Sequence, residues 1–127
     1  MGTWAGSVAA ITLFAEDLAV TKAFYEEVFE LPLVHEDETS AAFRLGDTIV
    51  NVLAVSSAPE LIDPVAVASP ESGSRFQLTV GVDDVDATCA TLQERGVTLV
   101  NGPVDRPWGI RTACFRDPAG HLWEIAT

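Results

Sequence analysis

Basic residues are scarce in this chain: seven Lys and Arg stand against nineteen Asp and Glu, a formal net charge of −12. Such a surface repels a phosphate backbone, and the few cations are scattered without a basic stripe. Neither nucleic acid nor an anionic membrane is an expected partner. An acidic surface could draw a cationic ligand, but solubility explains it equally well. Cysteine is limited to Cys89 and Cys114, both in apolar patterns, so buried thiols are expected and not a disulfide framework. No apolar run is long enough to span a bilayer. The segment Met1 to Ala10 lacks a basic stretch of the kind that opens a signal peptide, so the cytoplasm is the expected compartment. There is no Gly-rich phosphate loop, no G-x-S-x-G elbow and no Cys/His nucleophile pair. The adjacent carboxylates Glu26-Glu27 and Asp83-Asp84 do not converge on one substrate; solvation and helix capping account for them.

What is present is an ordinary globular composition, 48% hydrophobic and 20% charged over 127 residues, enough for one domain with a working core. Its organising signal is an internal repeat. Val8 to Phe14 reads as a strand, Asp17 as the N-cap of a helix over Leu18 to Phe29, and Pro32 as the point beyond which that helix does not continue. Strands are expected near Leu33–His35, Ser40–Leu45 and Thr48–Val55, with Gly46-Asp47 as a turn. The pattern then recurs. Phe76 to Val82 reads as a strand, and Asp83 or Asp84 caps a helix buried through Val85, Cys89 and Leu92 and stopped by Gly96. Strands follow at Thr98–Val100, Ile110–Arg116 and Leu122–Ala126. Asp84 lies 67 residues after Asp17, and Thr79 lies 67 after Thr12. Each half therefore reads βαβββ. The segment Ser56 to Ser74, rich in Pro, Ser and Ala, joins them, with room for a short helix.

The C-terminal run Phe115-Arg116-Asp117-Pro118-Ala119-Gly120-His121-Leu122-Trp123-Glu124 resembles the hallmark of the vicinal oxygen chelate superfamily, which includes glyoxalases, bleomycin-resistance proteins and ring-cleaving dioxygenases. Asp17-Leu18 followed by Phe24-Tyr25, Val82-Asp83-Asp84-Val85 followed by Arg95-Gly96-Val97, and Pro107-Trp108-Gly109 support the same resemblance. The run has a physical logic. Asp117 to Gly120 is a tight turn, with Pro setting one backbone angle and Gly tolerating a positive one. It delivers a final strand on which Leu122, Glu124 and Ala126 share a face. The resemblance implies an α+β fold of two βαβββ modules forming half-open mixed β-barrels. Module one would cover residues 7–56, a linker 57–74 and module two 75–127. It also implies a homodimer whose concavities are the ligand sites.

In the family's enzymes, metal ligands come from the first and last strands of each half. By resemblance the matching positions are Ala10, Asn51, Gln77 and Glu124. The first and third follow from a spacing of seven residues before Asp17 and Asp84. Alanine offers no donor atom, and Asn51 and Gln77 offer neutral amides, so Glu124 alone is a good ligand. No metal cofactor is therefore favoured; if a divalent ion does bind, Gln77 and Glu124 would hold it. A Glu124 without metal could pair with Arg111, be satisfied by hydroxyl and amide donors, or have a raised pKa and serve as a base. Trp108 is a candidate for stacking a planar ligand or for a lid over the core edge. Phe14 shares a strand face with Ala10 and Thr12 and could line the cleft. Trp123 points opposite to Glu124 and belongs to the core or an interface. Trp4 is a possible subunit contact, and Phe24 and Tyr25 are helix core. His35 reads as part of a solvated acidic hairpin, with a metal or proton-shuttling role as the alternative; His121 reads as a turn or capping residue.

The expected function is that of a small-molecule binding protein resembling the metal-free bleomycin-resistance branch. It would sequester an aromatic or amphipathic ligand through Phe14, Asn51, Gln77, Trp108, Arg111 and Glu124. The alternative is a metal-dependent glyoxalase-like lyase or isomerase, or a dioxygenase, with Glu124 as the catalytic group. A regulatory or structural dimer without a small ligand is the third class.

Overall fold

A computed structural model describes residues 2–127. The chain divides into two units, one up to Val67 and the other from Ala68 to Thr127.

The first unit contains β1 (Ala10–Ala15), α1 (Leu18–Glu27), β2 (Leu33–Glu36), β3 (Ser40–Leu45), β4 (Thr48–Ala54) and a short helix α2 (Pro59–Ile62). Its sheet has the order β1-β4-β3-β2, with β1 parallel to β4 and the remaining pairs antiparallel. The second unit repeats this arrangement with β5 (Gln77–Gly81), α3 (Val85–Glu94), β6 (Leu99–Asp105), β7 (Arg111–Arg116) and β8 (Leu122–Ala126), ordered β5-β8-β7-β6. Each unit is βαβββ, and each sheet is open, not closed into a barrel. The short helix in the connecting segment is α2.

The repeat extends to individual atoms. Asp17 caps α1 by accepting the Val20 N–H at 3.1 Å, and the Thr21 hydroxyl returns to the Asp17 carbonyl at 2.9 Å. Asp84 caps α3 by accepting the Ala87 N–H at 3.0 Å, and the Thr88 hydroxyl returns to the Asp84 carbonyl at 2.8 Å. Orphan amides at a helix start are thus satisfied the same way twice, and of the two aspartates 83 and 84 it is the second that caps. Gly96 ends α3 with φ +88°, in the left-handed region where a glycine stop is expected.

Strand alternation decides which residues form the core. In the first unit Leu13, Ala15, Ala41, Phe43, Val50 and Val52 face α1 and are buried with Thr21 and Tyr25. Tyr25 lies 5.9 Å from Phe43 and 5.2 Å from Phe29, ring centre to ring centre. In the second unit Ala113, Phe115, Trp123 and Ile125 pack towards α3, which buries Val85, Cys89 and Leu92. Both cysteines are free and buried, and burial pushes the Cys89 thiol up. Trp123 and Tyr25 are core residues, as their patterns imply. Trp4 is 98% exposed.

The turn between β2 and β3 is organised by one carboxylate. Asp37 Oδ1 accepts the backbone N–H groups of Thr39 and Ser40, both at 2.9 Å, and both hydroxyls, at 3.2 and 3.1 Å. These donors, led by the Thr39 amide, hold the carboxyl down at about 2, from an ordinary 3.8. A depressed folded-state value stabilises the turn above the unfolded value, and that contribution is lost as pH falls through about 2. An NMR titration should therefore show the Asp37 carboxyl titrating near 2, with faster amide exchange at Thr39 and Ser40 once it protonates. A midpoint near 3.8 would contradict the geometry.

Candidate functional site

The sheet faces turned away from the helices carry four of the residues that the sequence places at the site, Phe14, Asn51, Gln77 and Glu124. Across the first sheet, register aligns His35, Ala42, Asn51 and Thr12 in one row, with Phe14 beside Leu53 and Ala10 beside Ile49. Across the second, the corresponding row is Asn101, Cys114, Glu124 and Thr79, with Gln77 beside Leu122. Thr12 pairs with Asn51 as Thr79 pairs with Glu124. The alignment of Asn51 with Glu124 therefore follows from strand pairing, and Ala10 and Gln77 match likewise.

The two rows differ in chemistry. The first unit's face is apolar apart from Asn51, Thr12 and Ser40 and the exposed rim residues His35 and Arg44. Phe14, Ile49 and Leu53 give it its body. The second unit's face is polar and internally bonded. The Thr79 hydroxyl donates to Glu124 Oε1 at 2.9 Å, and the Gln77 amide donates to Cys114 Sγ at 3.3 Å. Glu124 is thus met by a hydroxyl donor, one of the three outcomes open for it.

The pairing of Glu124 with Arg111 does not occur. Arg111 falls on the opposite side of β7, which faces α3. Its guanidinium is bidentate on Asp86, at 2.8 and 2.9 Å, and also reaches Asp105 at 3.0 Å. Arg111 holds the Asp86 carboxyl below its usual range, and the two carboxylates raise the guanidinium further. This exposed network ties α3 to the hairpin β6–β7; isolated surface pairs of this kind contribute little to stability.

A different arginine reaches the Glu124 side. Arg106 donates to the Thr112 hydroxyl at 2.9 Å and to Asn101 Oδ1 at 3.4 Å. Both partners share the face of Cys114 and Glu124. Sequence reasoning missed Arg106 because it precedes a turn, where strand alternation has no phase. The available signal was the threonine at 112, in phase with Cys114.

Trp108 lies in the turn between β6 and β7, closed by Gly109 N–H to the Arg106 carbonyl at 3.0 Å, and is 69% exposed. It therefore does not cover the core edge. The strands place it beyond the Thr112–Ala126 pair, whereas Glu124 pairs with Cys114. His35 stands on the exposed strand β2, its Nε2 3.6 Å from Asp37 Oδ2. His121 belongs to the Asp117 turn. Its Nδ1 is 2.8 Å from Asp117 Oδ2, while Oδ1 accepts the Ala119 and His121 amides at 3.0 and 2.9 Å. That carboxylate is fully buried. The turn that carries the sequence hallmark is held by an aspartate that accepts from the Ala119 and His121 amides and the His121 ring, and Gly120 takes φ +94°.

The donor set does not fit a divalent metal. Ala10 has no donor atom, and Asn51 and Gln77 are neutral amides. Among the described residues no group of three or more His, Cys, Asp or Glu comes together. Also among the described residues, no helix is long and apolar enough to cross a membrane.

Paired βαβββ units, each with a polar or apolar open face, define the class of vicinal oxygen chelate folds. Residues 7–125 match the model of the Glyoxalase/Bleomycin resistance protein/Dioxygenase superfamily, and the chain belongs to that superfamily. It is 34% identical over 119 residues to uncharacterized protein YraH of Bacillus subtilis, covering 91% of this chain and 93% of that one. It is 30% identical over 113 residues to a probable lactoylglutathione lyase of Vibrio cholerae, covering 86% and 81% respectively. Among solved structures, a glyoxalase/bleomycin resistance protein/dioxygenase from Nocardioides superimposes with a TM-score of 0.87 at 23% identity. That match covers 98% of this chain and 85% of the other.

Proposed function

We propose that the chain is a small-molecule binding member of the superfamily, working without a metal as a homodimer. It would take an aromatic or amphipathic ligand whose donor group is held by Glu124. The observation that carries this reading is the chemistry of the Glu124 face. A partly exposed carboxylate accepts from the Thr79 hydroxyl, shares its sheet face with Asn101, Cys114 and Gln77, and lacks the ligand partners a catalytic metal requires. A carboxylate with spare acceptor capacity pairs best with an ammonium or hydroxyl donor, and the acidic surface favours approach of a cation. Within the same unit Trp108 is a further candidate contact; Arg111, engaged with Asp86 and Asp105, is not assigned to the ligand.

Dansylcadaverine, an amphipathic aromatic amine, is a suitable probe because its emission rises on burial. Binding should saturate, and Glu124→Gln should weaken it at least about tenfold, roughly 1.4 kcal/mol, with the thermal midpoint nearly unchanged. Equal affinity in the variant overturns the assignment of Glu124.

A second reading, a glyoxalase-like lyase, is favoured by the Vibrio cholerae relative's description as a probable lactoylglutathione lyase. Metal analysis of protein purified without chelator separates the two. A stoichiometric divalent ion that is lost in Glu124→Ala would support the lyase and refute metal-free binding.

A further inference from the structure

The second unit holds a depression that the Glu124 face does not include. It lies between the segment Pro70–Phe76, which leads into β5, and the Asp117–His121 turn, which leads into β8. Its volume is about 230 Å³, lined by Pro70, Arg75, Phe76, Ala119, Gly120 and His121 among others. Drug-sized ligands occupy pockets of about 300–1,000 Å³, so the fitting occupant is a single-ring molecule.

Three groups there have unused capacity. Phe76 is 51% exposed, with its ring centre 6.4 Å from that of His121, and offers an apolar face. Arg75 has no carboxylate partner among the described residues, in a chain where acids outnumber bases by nineteen to seven. A guanidinium at the edge of an apolar depression is suited to a planar carboxylate, which it can grip through two parallel hydrogen bonds. His121 is the third. Its Nδ1 lies against the buried Asp117 carboxylate at 2.8 and 3.1 Å, and a carboxylate only accepts, so Nδ1 carries the proton. In the neutral ring Nε2 is then an acceptor. No side-chain nitrogen or oxygen among the described residues is both buried and unpartnered, so Nε2, which has no protein partner, is open to solvent.

Gly120 completes the site. A Cβ at this position would meet Pro70 Cβ at 3.5 Å, and the residue's φ of +94° favours glycine.

We propose that this depression is a separate binding site for a hydroxylated single-ring aromatic carboxylate. The carboxylate pairs with Arg75, the ring lies on Phe76, and the hydroxyl donates to His121 Nε2. The site is independent of the Glu124 reading, and its ligand carries the opposite charge.

The test is an amide NMR titration of the full chain with 4-hydroxybenzoate and, separately, benzoate. Saturable shifts are expected at Arg75, Phe76, Gly120 and His121, with Thr79 and Glu124 unmoved. 4-Hydroxybenzoate should bind at least about fivefold tighter than benzoate, since only it satisfies the His121 acceptor. Arg75→Gln, an exposed change that leaves the Asp117 turn intact, should weaken both acids at least about tenfold. The proposal is overturned by shifts that map to Thr79, Cys114 and Glu124. Equal affinity for the two acids, binding indifferent to Arg75→Gln, or no shift at millimolar ligand would overturn it equally.

Discussion

Trp123→Ala is expected to destabilise the protein by about 3–5 kcal/mol, the range for deleting a fully buried aromatic side chain. Trp123 is 1% exposed and is the largest fully buried side chain in the structure. It sits on β8 between Leu78 and Phe115, its partners in the neighbouring strands, on the face that packs towards α3. Removing it leaves a cavity that the strands can close only by shifting β8, and β8 carries Glu124. The loss is a large part of a typical total of about 5–15 kcal/mol. Urea unfolding followed by circular dichroism measures it. Trp108→Ala, at 69% exposure, is the matched control and should change stability by less than about 0.5 kcal/mol. Trp123 is also the one buried tryptophan among Trp4, Trp108 and Trp123, so its variant should lose the blue-shifted part of the fluorescence. A cost below about 1 kcal/mol would mean that the side chain is not packed as described.

Gly102→Ala should cost about 3 kcal/mol or more through backbone crowding, with no change in polarity. Gly102 lies where β6 slips register against β7 between Asn101 and Val104, and its φ is +85°. A Cβ there would lie 2.5 Å from the Thr112 carbonyl oxygen and 2.7 Å from Ala113 Cα. Both are backbone atoms of a central strand and have no rotamer by which to move away. Overpacking of this kind costs about 1–3 kcal/mol, and forcing alanine into the left-handed region adds about 1–2. Gly46 provides the comparison: its φ is +58° but a Cβ would meet nothing within 4 Å, so Gly46→Ala should cost only about 1 kcal/mol. The consequence for the site is direct, because Thr112 and Cys114 line the Glu124 face and Asn101 precedes Gly102. Ligand affinity in Gly102→Ala should fall along with stability. Equal destabilisation by the two alanine variants would refute the close approach.

Most of the architecture was legible because each half repeats local signals at a constant interval. Asp17 and Asp84 cap helices in place, β3 and β8 begin and end where their alternation indicates, and Gly96 stops α3. The last strand's alternation also placed Glu124 opposite Trp123 correctly. Less was legible at β6, expected over Thr98–Val100 but running from Leu99 to Asp105. Gly102 and Pro103 read as strand breakers in sequence, whereas the chain absorbs them as an irregularity and resumes pairing at Val104 with Thr112. Strand β7 illustrates a second limit. Arg111 was an attractive partner for Glu124 by charge alone, yet the pairing of Cys114 with Glu124 puts Arg111 on the other side of the sheet.

The sequence by itself determined what depends on near neighbours along the chain: the caps, the turns, the two helices and the duplicated order of elements. These follow from hydrogen bonds and backbone angles set within a few residues. Only the tertiary structure decided which strands pair and in what register. It thereby determined that Thr79 satisfies Glu124, that Arg106 and not Arg111 reaches that face, and that Arg75 meets His121 across a depression. The reason is that a one-residue change in register reverses every side chain in a strand, and register is set by packing between segments distant in sequence.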